Sequence, residues 1–209
     1  MAIVLAGHNG SGKSTLWYQQ LADSLKMPLV NADRITLSLL PEADSNGKLR
    51  DWVIELRDSN EAWQRVAQES VRVFLRLLME RQMPFAFETV FSHLKQQKDG
   101  TFESKVDLIL DLQTHGYFVI LLFVGLSSAD LSIFRVATRK AKGGHSVPEN
   151  KLRERFPRTQ KAVGMASKIA DVTLMFDNSR NLSEAFSLAR VQRKSEVIYD
   201  CRRPLEAHY

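Results

Sequence analysis

The chain has 209 residues, 44% of them hydrophobic and 25% charged, and it carries a formal net charge of +5. That is enough chain for one domain, residues 1–209, with a substantial core, and the composition excludes a disordered or fibrous protein. The lone cysteine, Cys201, excludes an internal disulfide framework and suits a reducing cytoplasm; with no apolar run of about 18 residues and an N-terminus that enters a strand directly, neither a membrane span nor a signal peptide is expected.

Ile3 to Ala6 is a short apolar strand, and directly behind it stands Gly7-His8-Asn9-Gly10-Ser11-Gly12-Lys13-Ser14, a full match to G-x-x-x-x-G-K-[ST]. Glycines let such a loop turn its N–H groups around phosphate oxygens. The helix behind it, expected from Ser14 to Leu25 with Leu16, Leu21 and Leu25 inward, points its positive end at the same anion. Lys13 adds a charge for the β- and γ-phosphates, and Ser14 a hydroxyl for Mg²⁺. Gly7 through Ser14, with Thr15, are therefore the expected ATP-binding residues, although no separate role for the His8 side chain follows.

Pro28 to Asp33 reads as a second strand ending on a carboxylate, followed by a helical turn or two from Arg34 to Leu40. Residues 41–58 form a polar loop with one helical turn at Trp52 to Leu56, and Asn60 to Gln82 is the longest helix. Phe85 to Val90 is apolar and then polar, as in a buried parallel strand that delivers side chains at its C-terminal edge. A helix from Thr101 to His115, a central strand from Tyr117 to Val124 and a helix from Ser127 to about Lys140 follow.

Lys142 to Pro148 reads as a flexible hinge, and the basic helix after it should be kinked or split by Pro157, so residues 140–160 or so form a helical lid. Asp171 to Phe176 is the last core strand, Leu182 to Lys194 a closing helix, and Glu196 to Tyr199 an edge strand. Strands alternating with helices give an α/β fold, a P-loop NTPase three-layer α/β/α sandwich around a mainly parallel five-stranded sheet. Ligands collect at the carboxyl ends of such strands, where Gly7, Asp33, Glu88, Gly125 and Asn178 fall.

A kinase of small molecules needs a phosphate cradle, a metal, a carboxylate to take the hydroxyl proton, and positive charge around the moving phosphoryl group. Asp33 is the expected base, at the tip of the strand beside the phosphate loop; the alternative is a plain cap for the helix at Arg34. Glu88 and Thr89, with Asp33 and Arg34, are the expected acceptor contacts, while Glu88 also suits an outer-shell contact to the metal or an ion pair holding the loop. Arg135 and Arg139 share one helix face, and beyond the Gly143-Gly144 hinge stand Arg153, Arg155 and Arg158; Arg135 and Arg139 are the expected catalytic charges and Arg155 a nucleotide contact. His145 reads either as a phosphate contact or as a loop organiser, and Asn178 either as an adenine contact or as part of a turn.

Taken together, Ala6 to Thr15, Asn31-Ala-Asp-Arg34, Phe87-Glu-Thr-Val-Phe-Ser92, Arg135 to Pro148 and Arg153-Glu-Arg-Phe-Pro-Arg158 resemble the zeta-toxin-like family of P-loop kinases. The likeness spans roughly residues 2 to 180, and the Gly-Gly-His-x-Val-Pro segment flanked by arginines resembles the compact chromosomal branch. The resemblance implies an ATP- and Mg²⁺-dependent kinase acting on the 3′-hydroxyl of UDP-N-acetylglucosamine, with an antitoxin protein as partner. It also implies Asp33 as base, Lys13 and Ser14 as phosphate and metal groups, Glu88 and Thr89 as sugar-nucleotide contacts, and the lid arginines as clamps. The competing readings are a kinase of another acceptor, such as a polynucleotide end, gluconate or an amino sugar, and an ATP-binding switch without an acceptor. Nucleic acid ranks low because no interleaved aromatic and basic platform is present, and Asp33 beside the loop argues against a pure switch.

Overall fold

The structure, a computed structural model, describes residues 1–45, 48–97, 102–141 and 143–203. Alternation along the first strand decides its layering. In β1 (Ala2–Gly7) the side chains of Ala2, Val4 and Ala6 enter one core and those of Ile3 and Leu5 the other, all buried. A strand apolar on both sides needs cover on both faces. One face is covered by a helix in three parts, α1 (Lys13–Leu16), a π-helical turn (Trp17–Leu21) and α2 (Ala22–Leu25), whose Leu16 and Trp17 are fully buried.

The strand expected up to Asp33 is only β2 (Leu29–Val30), because Asn31 turns the chain into α3 (Ala32–Ser38). The Asn31 side-chain oxygen accepts from the N–H groups of Asp33 (2.8 Å) and Arg34 (3.4 Å), the capping role that is the alternative reading of Asp33. Trp52 belongs to a nine-residue helix rather than a single turn, α4 (Asp51–Ser59). The longest helix, α5 (Glu61–Glu80), is capped by Asn60 and buries Ala67, Val71, Leu75, Leu78 and Met79.

After β3 (Phe85–Thr89) comes a small antiparallel ribbon, β4 (Leu94–Gln96) and β5 (Phe102–Ser104), where a helix was expected to begin at Thr101, itself outside the described residues. The helix α6 (Val106–Thr114) starts later because Ser104 and Asp107 cap it: Ser104 Oγ accepts from Val106 N–H, and the Asp107 carboxylate from Ser104 N–H, both at 3.0 Å. Next come β6 (Val119–Gly125), α7 (Ala129–Ala141), α8 (Glu149–Ala166) and β7 (Val172–Asp177). Pro157 does not split α8, where it lies exposed within one continuous helix.

The expected closing helix is absent. Asn181 caps one 3₁₀ turn (Leu182–Glu184), Ala185 leaves helical geometry with ψ 140°, and the chain pairs as β8 (Ser187–Arg193) and β9 (Glu196–Asp200). The Asn-Leu-Ser-Glu start is a helix signal, but the unpaired edge of β7 offers the segment a full ladder instead. The sheet order is β2-β3-β1-β6-β7-β8-β9: the first five strands are parallel, as expected, and β8 and β9 extend them antiparallel. This is the α/β architecture of P-loop NTPases.

The larger core joins α5, α6 and α8 to the sheet, and Tyr117 closes its lower end. Its buried hydroxyl lies 3.0 Å from the Leu78 carbonyl and 2.9 Å from that of Met83, to which it donates. Tyr117→Phe removes the donor to Met83 O, while Leu78 O keeps the Met83 N–H at 3.0 Å, and the change is expected to cost about 1 to 2 kcal/mol. The check is a lower denaturation midpoint at unchanged m-value; an unaltered midpoint would show that the contact stabilises nothing.

Candidate functional site

The phosphate loop is built before any ligand arrives. Three sequence-distant segments hold its carbonyls and His8: Asn178 Nδ2 donates to Ser11 O (2.9 Å), Ser132 Oγ to Asn9 O (2.7 Å), and Leu126 N–H to His8 Nδ1 (3.2 Å). His8 is buried and stacked on Phe156 at 3.9 Å. Burial, with the Lys13 charge second, lowers its pKa to about 4, so it is neutral at physiological pH and serves as an acceptor. Gly7 has no room for a side chain, since an added Cβ would collide with Val124 O and lie 2.7 Å from Ser11 Oγ. Gly12 combines φ +91° with an Asn178 Nδ2 only 2.7 Å from where a Cβ would sit.

No side chain caps α1, and its first helical bond is Leu16 N–H to Gly12 O at 2.9 Å, which leaves the preceding N–H groups facing the loop's concavity. Lys13 is buried, and its ammonium donates to Gly7 O (3.1 Å) and His8 O (3.0 Å). Burial lowers its pKa, Glu88 and Asp33 oppose that, and Arg139 adds to it.

Glu88 ties the loop to the start of α3. Its carboxylate accepts from Ser14 Oγ (3.1 and 3.0 Å) and from Asn31 Nδ2 (2.7 Å). The bridge exists because β3 lies between β1 and β2, a correction to the expectation that Asp33 ends the strand beside the loop. Asp33 instead occupies the first turn of α3, and Asn31, by capping that helix, leaves the Asp33 carboxylate on the wall of a cavity of about 690 Å³. Lys13, Glu88, Thr89, Arg139 and Arg155 line the same cavity, as do Asn9 and Gly10.

Other expected site residues lie outside it. Arg34 bonds the Tyr18 hydroxyl and stacks over its ring. Arg135 backs Gly10, Thr15 is exposed on α1, and Asn178 is buried beneath the loop, where its amide bonds Ser11 O. Arg153 and Arg158 are engaged with acids of their own neighbourhood, Asp130 and Glu149 for the first and Glu154 for the second.

The Gly143-Gly144 segment is clamped by two residues that no motif singles out. From α4, the buried Arg57 guanidinium donates to Gly143 O (3.0 Å) and Gly144 O (3.4 Å), while Asp58 holds Arg57 (2.6 Å) and His145 Nδ1 (2.8 Å). Arg139 completes the clamp by donating to His145 O (2.8 Å). His145 is therefore a loop organiser here. Lys142 lies outside the described residues.

Burial raises the Asp58 carboxyl, but its contacts with Arg57 and His145 outweigh that and hold it below the usual range. A depressed carboxyl contributes its stability above the unfolded-state value of about 3.9 and loses it as pH falls through the folded one. Amide exchange in residues 143–148 should therefore be slow at about pH 5 and accelerate on acidification below the unfolded-state value. Asp58→Asn should already exchange fast at the higher pH; equal protection in the two proteins would remove the clamp.

No family model matches the chain, and no curated protein sequence matches it. Among solved structures, one from the PezAT chromosomal toxin–antitoxin system of Streptococcus pneumoniae matches at a TM-score of 0.59 and 14% identity, over 91% of this chain and 70% of that one. The Pnkp1/Rnl/Hen1 RNA repair complex matches at a TM-score of 0.50 and 15% identity, over 78% of this chain and 45% of that one. At such identities the likeness is one of fold, and it agrees with the phosphate loop and the sheet order: the chain has a P-loop NTPase fold.

Proposed function

We propose that the protein is an ATP-dependent kinase that transfers the γ-phosphate to a hydroxyl of a small molecule, with a nucleotide sugar such as UDP-N-acetylglucosamine as acceptor. The observation that carries this reading is that Lys13, inside the phosphate loop, and Asp33, on a different element, line one cavity together with Glu88, Arg139 and Arg155. A nucleotide switch has no use for a carboxylate on that wall; a phosphotransferase needs one.

The residues fit a triphosphate. Among the described residues the Lys13 ammonium has only backbone carbonyls as hydrogen-bond partners, no side chain caps α1, and the buried Ser11 Oγ has no hydrogen-bond partner. Ser14 and Glu88 bring a hydroxyl and a carboxylate together, an all-oxygen pair that suits Mg²⁺ alongside phosphate oxygens and water. Bound there, the ion would neutralise charge on the β- and γ-oxygens.

Asp33 takes the proton of the acceptor hydroxyl as that oxygen bonds to the γ-phosphorus, and the bond from phosphorus to the β–γ bridging oxygen breaks to release ADP. Lys13 holds the phosphate oxygens from inside the loop, and Arg139 and Arg155 supply positive charge on the cavity wall. Burial lowers the Arg155 pKa, with Arg158 adding to that, and Asp33 opposes it; the two side chains sense each other across the cavity. Asn31, Glu88 and Thr89 offer hydrogen bonds to sugar hydroxyls and amides. The toxin–antitoxin setting of the matched Streptococcus pneumoniae structure supports an antitoxin protein as partner.

The test is phosphate transfer from ATP in the presence of Mg²⁺ to a panel of UDP-N-acetylglucosamine, gluconate, glucosamine and an oligonucleotide end. The nucleotide sugar should be phosphorylated, and Asp33→Asn should lower the rate by about 10² to 10⁴ with nucleotide affinity unchanged. Transfer to another panel member alone would reassign the acceptor. An Asp33→Asn protein at the native rate would remove the base.

A further inference from the structure

The tip of β3 sends side chains to both sides of the sheet. Glu88 turns toward Ser14 on α1, whereas Phe87 turns into the core beneath α5 and α6. The cavity wraps around this tip, so besides Lys13 it is lined by Lys105, at the start of α6, and by Arg72 of α5, together with apolar Phe87, Leu75 and Leu108. The phosphoryl-transfer machinery uses neither of these two cations.

Lys105 is half-buried, and its ammonium stands 5.0 Å from the centroid of the Phe87 ring. Among the described residues no carboxylate pairs with it. Burial lowers its pKa, and the Arg72 charge pushes the same way. The acids nearest in sequence are taken: Glu103 by His93 (3.0 Å) and Gln97 (2.8 Å), Asp107 by the Ser104 N–H (3.0 Å). Arg72 reaches Glu69 (2.7 Å) on the exposed side of α5. Two like charges on one cavity wall, one of them partly desolvated and without an acid among the described residues, are tolerated by the fold only at a cost, and an anion in the cavity removes that cost. The aromatic face beneath Lys105 offsets part of it in the absence of an anion.

We infer that Lys105 and Arg72 form an anion subsite, so that the acceptor carries a carboxylate or a phosphate group in addition to the hydroxyl that is phosphorylated. Assigning this anion to an acceptor rests on the kinase reading; the subsite itself does not. Neutral sugars and polyols are then poor acceptors. Sugar acids, sugar phosphates and the diphosphate of a nucleotide sugar all present the required group.

The experiment is calorimetric titration of the protein, first with ADP to fill the phosphate loop and then with glucose, glucuronate or glucose 6-phosphate. At least one of the two anions should bind about tenfold or more tightly than glucose, and whichever binds better identifies carboxylate or phosphate as the group read. Lys105→Met should abolish the preference, Arg72→Leu should weaken it, and Lys105→Arg should retain it, each variant unfolding at the native temperature. Absence of anion binding, equal affinity for glucose and the anions, or a preference that survives in Lys105→Met would overturn the proposal. Failure of ADP to bind, or of any acceptor to be phosphorylated, counts against the kinase reading instead. The dependence on Lys105 is read without turnover and can be titrated with the loop empty.

Discussion

The ammonium of Lys13 sits where an ion is expensive. It is buried within the loop, its hydrogen bonds run to two backbone carbonyls, and burial weakens its hold on its proton. A neutral interior would be cheaper, and the fold spends several other contacts on keeping the charge there. Glu88 and Asp33 favour it electrostatically, and Asn178, Ser132 and Leu126 fix the loop around it. Under the proposed function, phosphate oxygens entering the loop would meet a charge already desolvated, so little reorganisation would be left to oppose binding.

Glu88 carries that arrangement from the loop to the start of α3. Because β3 lies between β1 and β2, its terminal carboxylate spans the gap from Ser14 to Asn31, and Asn31 in turn sets the first turn of α3 on which Asp33 is carried. Loop, bridge and proposed base thus form one hydrogen-bonded chain across three elements. On the far side of the sheet the same strand tip turns Phe87 under Lys105, which joins the phosphate end of the cavity to a second region of positive charge. The segment from Gly143 to His145 is fastened separately, through Arg57 and Asp58 of α4.

Local chemistry was legible in the sequence. The Gly7 to Ser14 motif, five parallel strands and the edge position of Glu88 follow from spacing and apolar runs alone. Contacts between distant segments were not. Arg57 and Asp58 look like ordinary polar residues of a surface helix until the fold brings Gly143 to His145 against them, and Asn178 resembles turn chemistry until its amide is found beneath Ser11. Strand β8 departs from the expected helix for a related reason, while the edge strand expected from Glu196 to Tyr199 is present as β9: Asn181 and Glu184 give a helix start, and only the open edge of β7 decides otherwise. Asp33 lines the cavity from the first turn of α3 and not from the tip of a strand, since the length of β2 depends on Asn31 and not on apolar pattern.

Titration of Mg²⁺·ATP into the native protein and into Lys13→Ala tests the central claim most directly. If the buried ammonium is held for phosphate, the native chain binds and the variant loses about thirtyfold or more in affinity while unfolding at no lower temperature. Equal affinities in the two proteins, or no binding to the native one, would contradict the account.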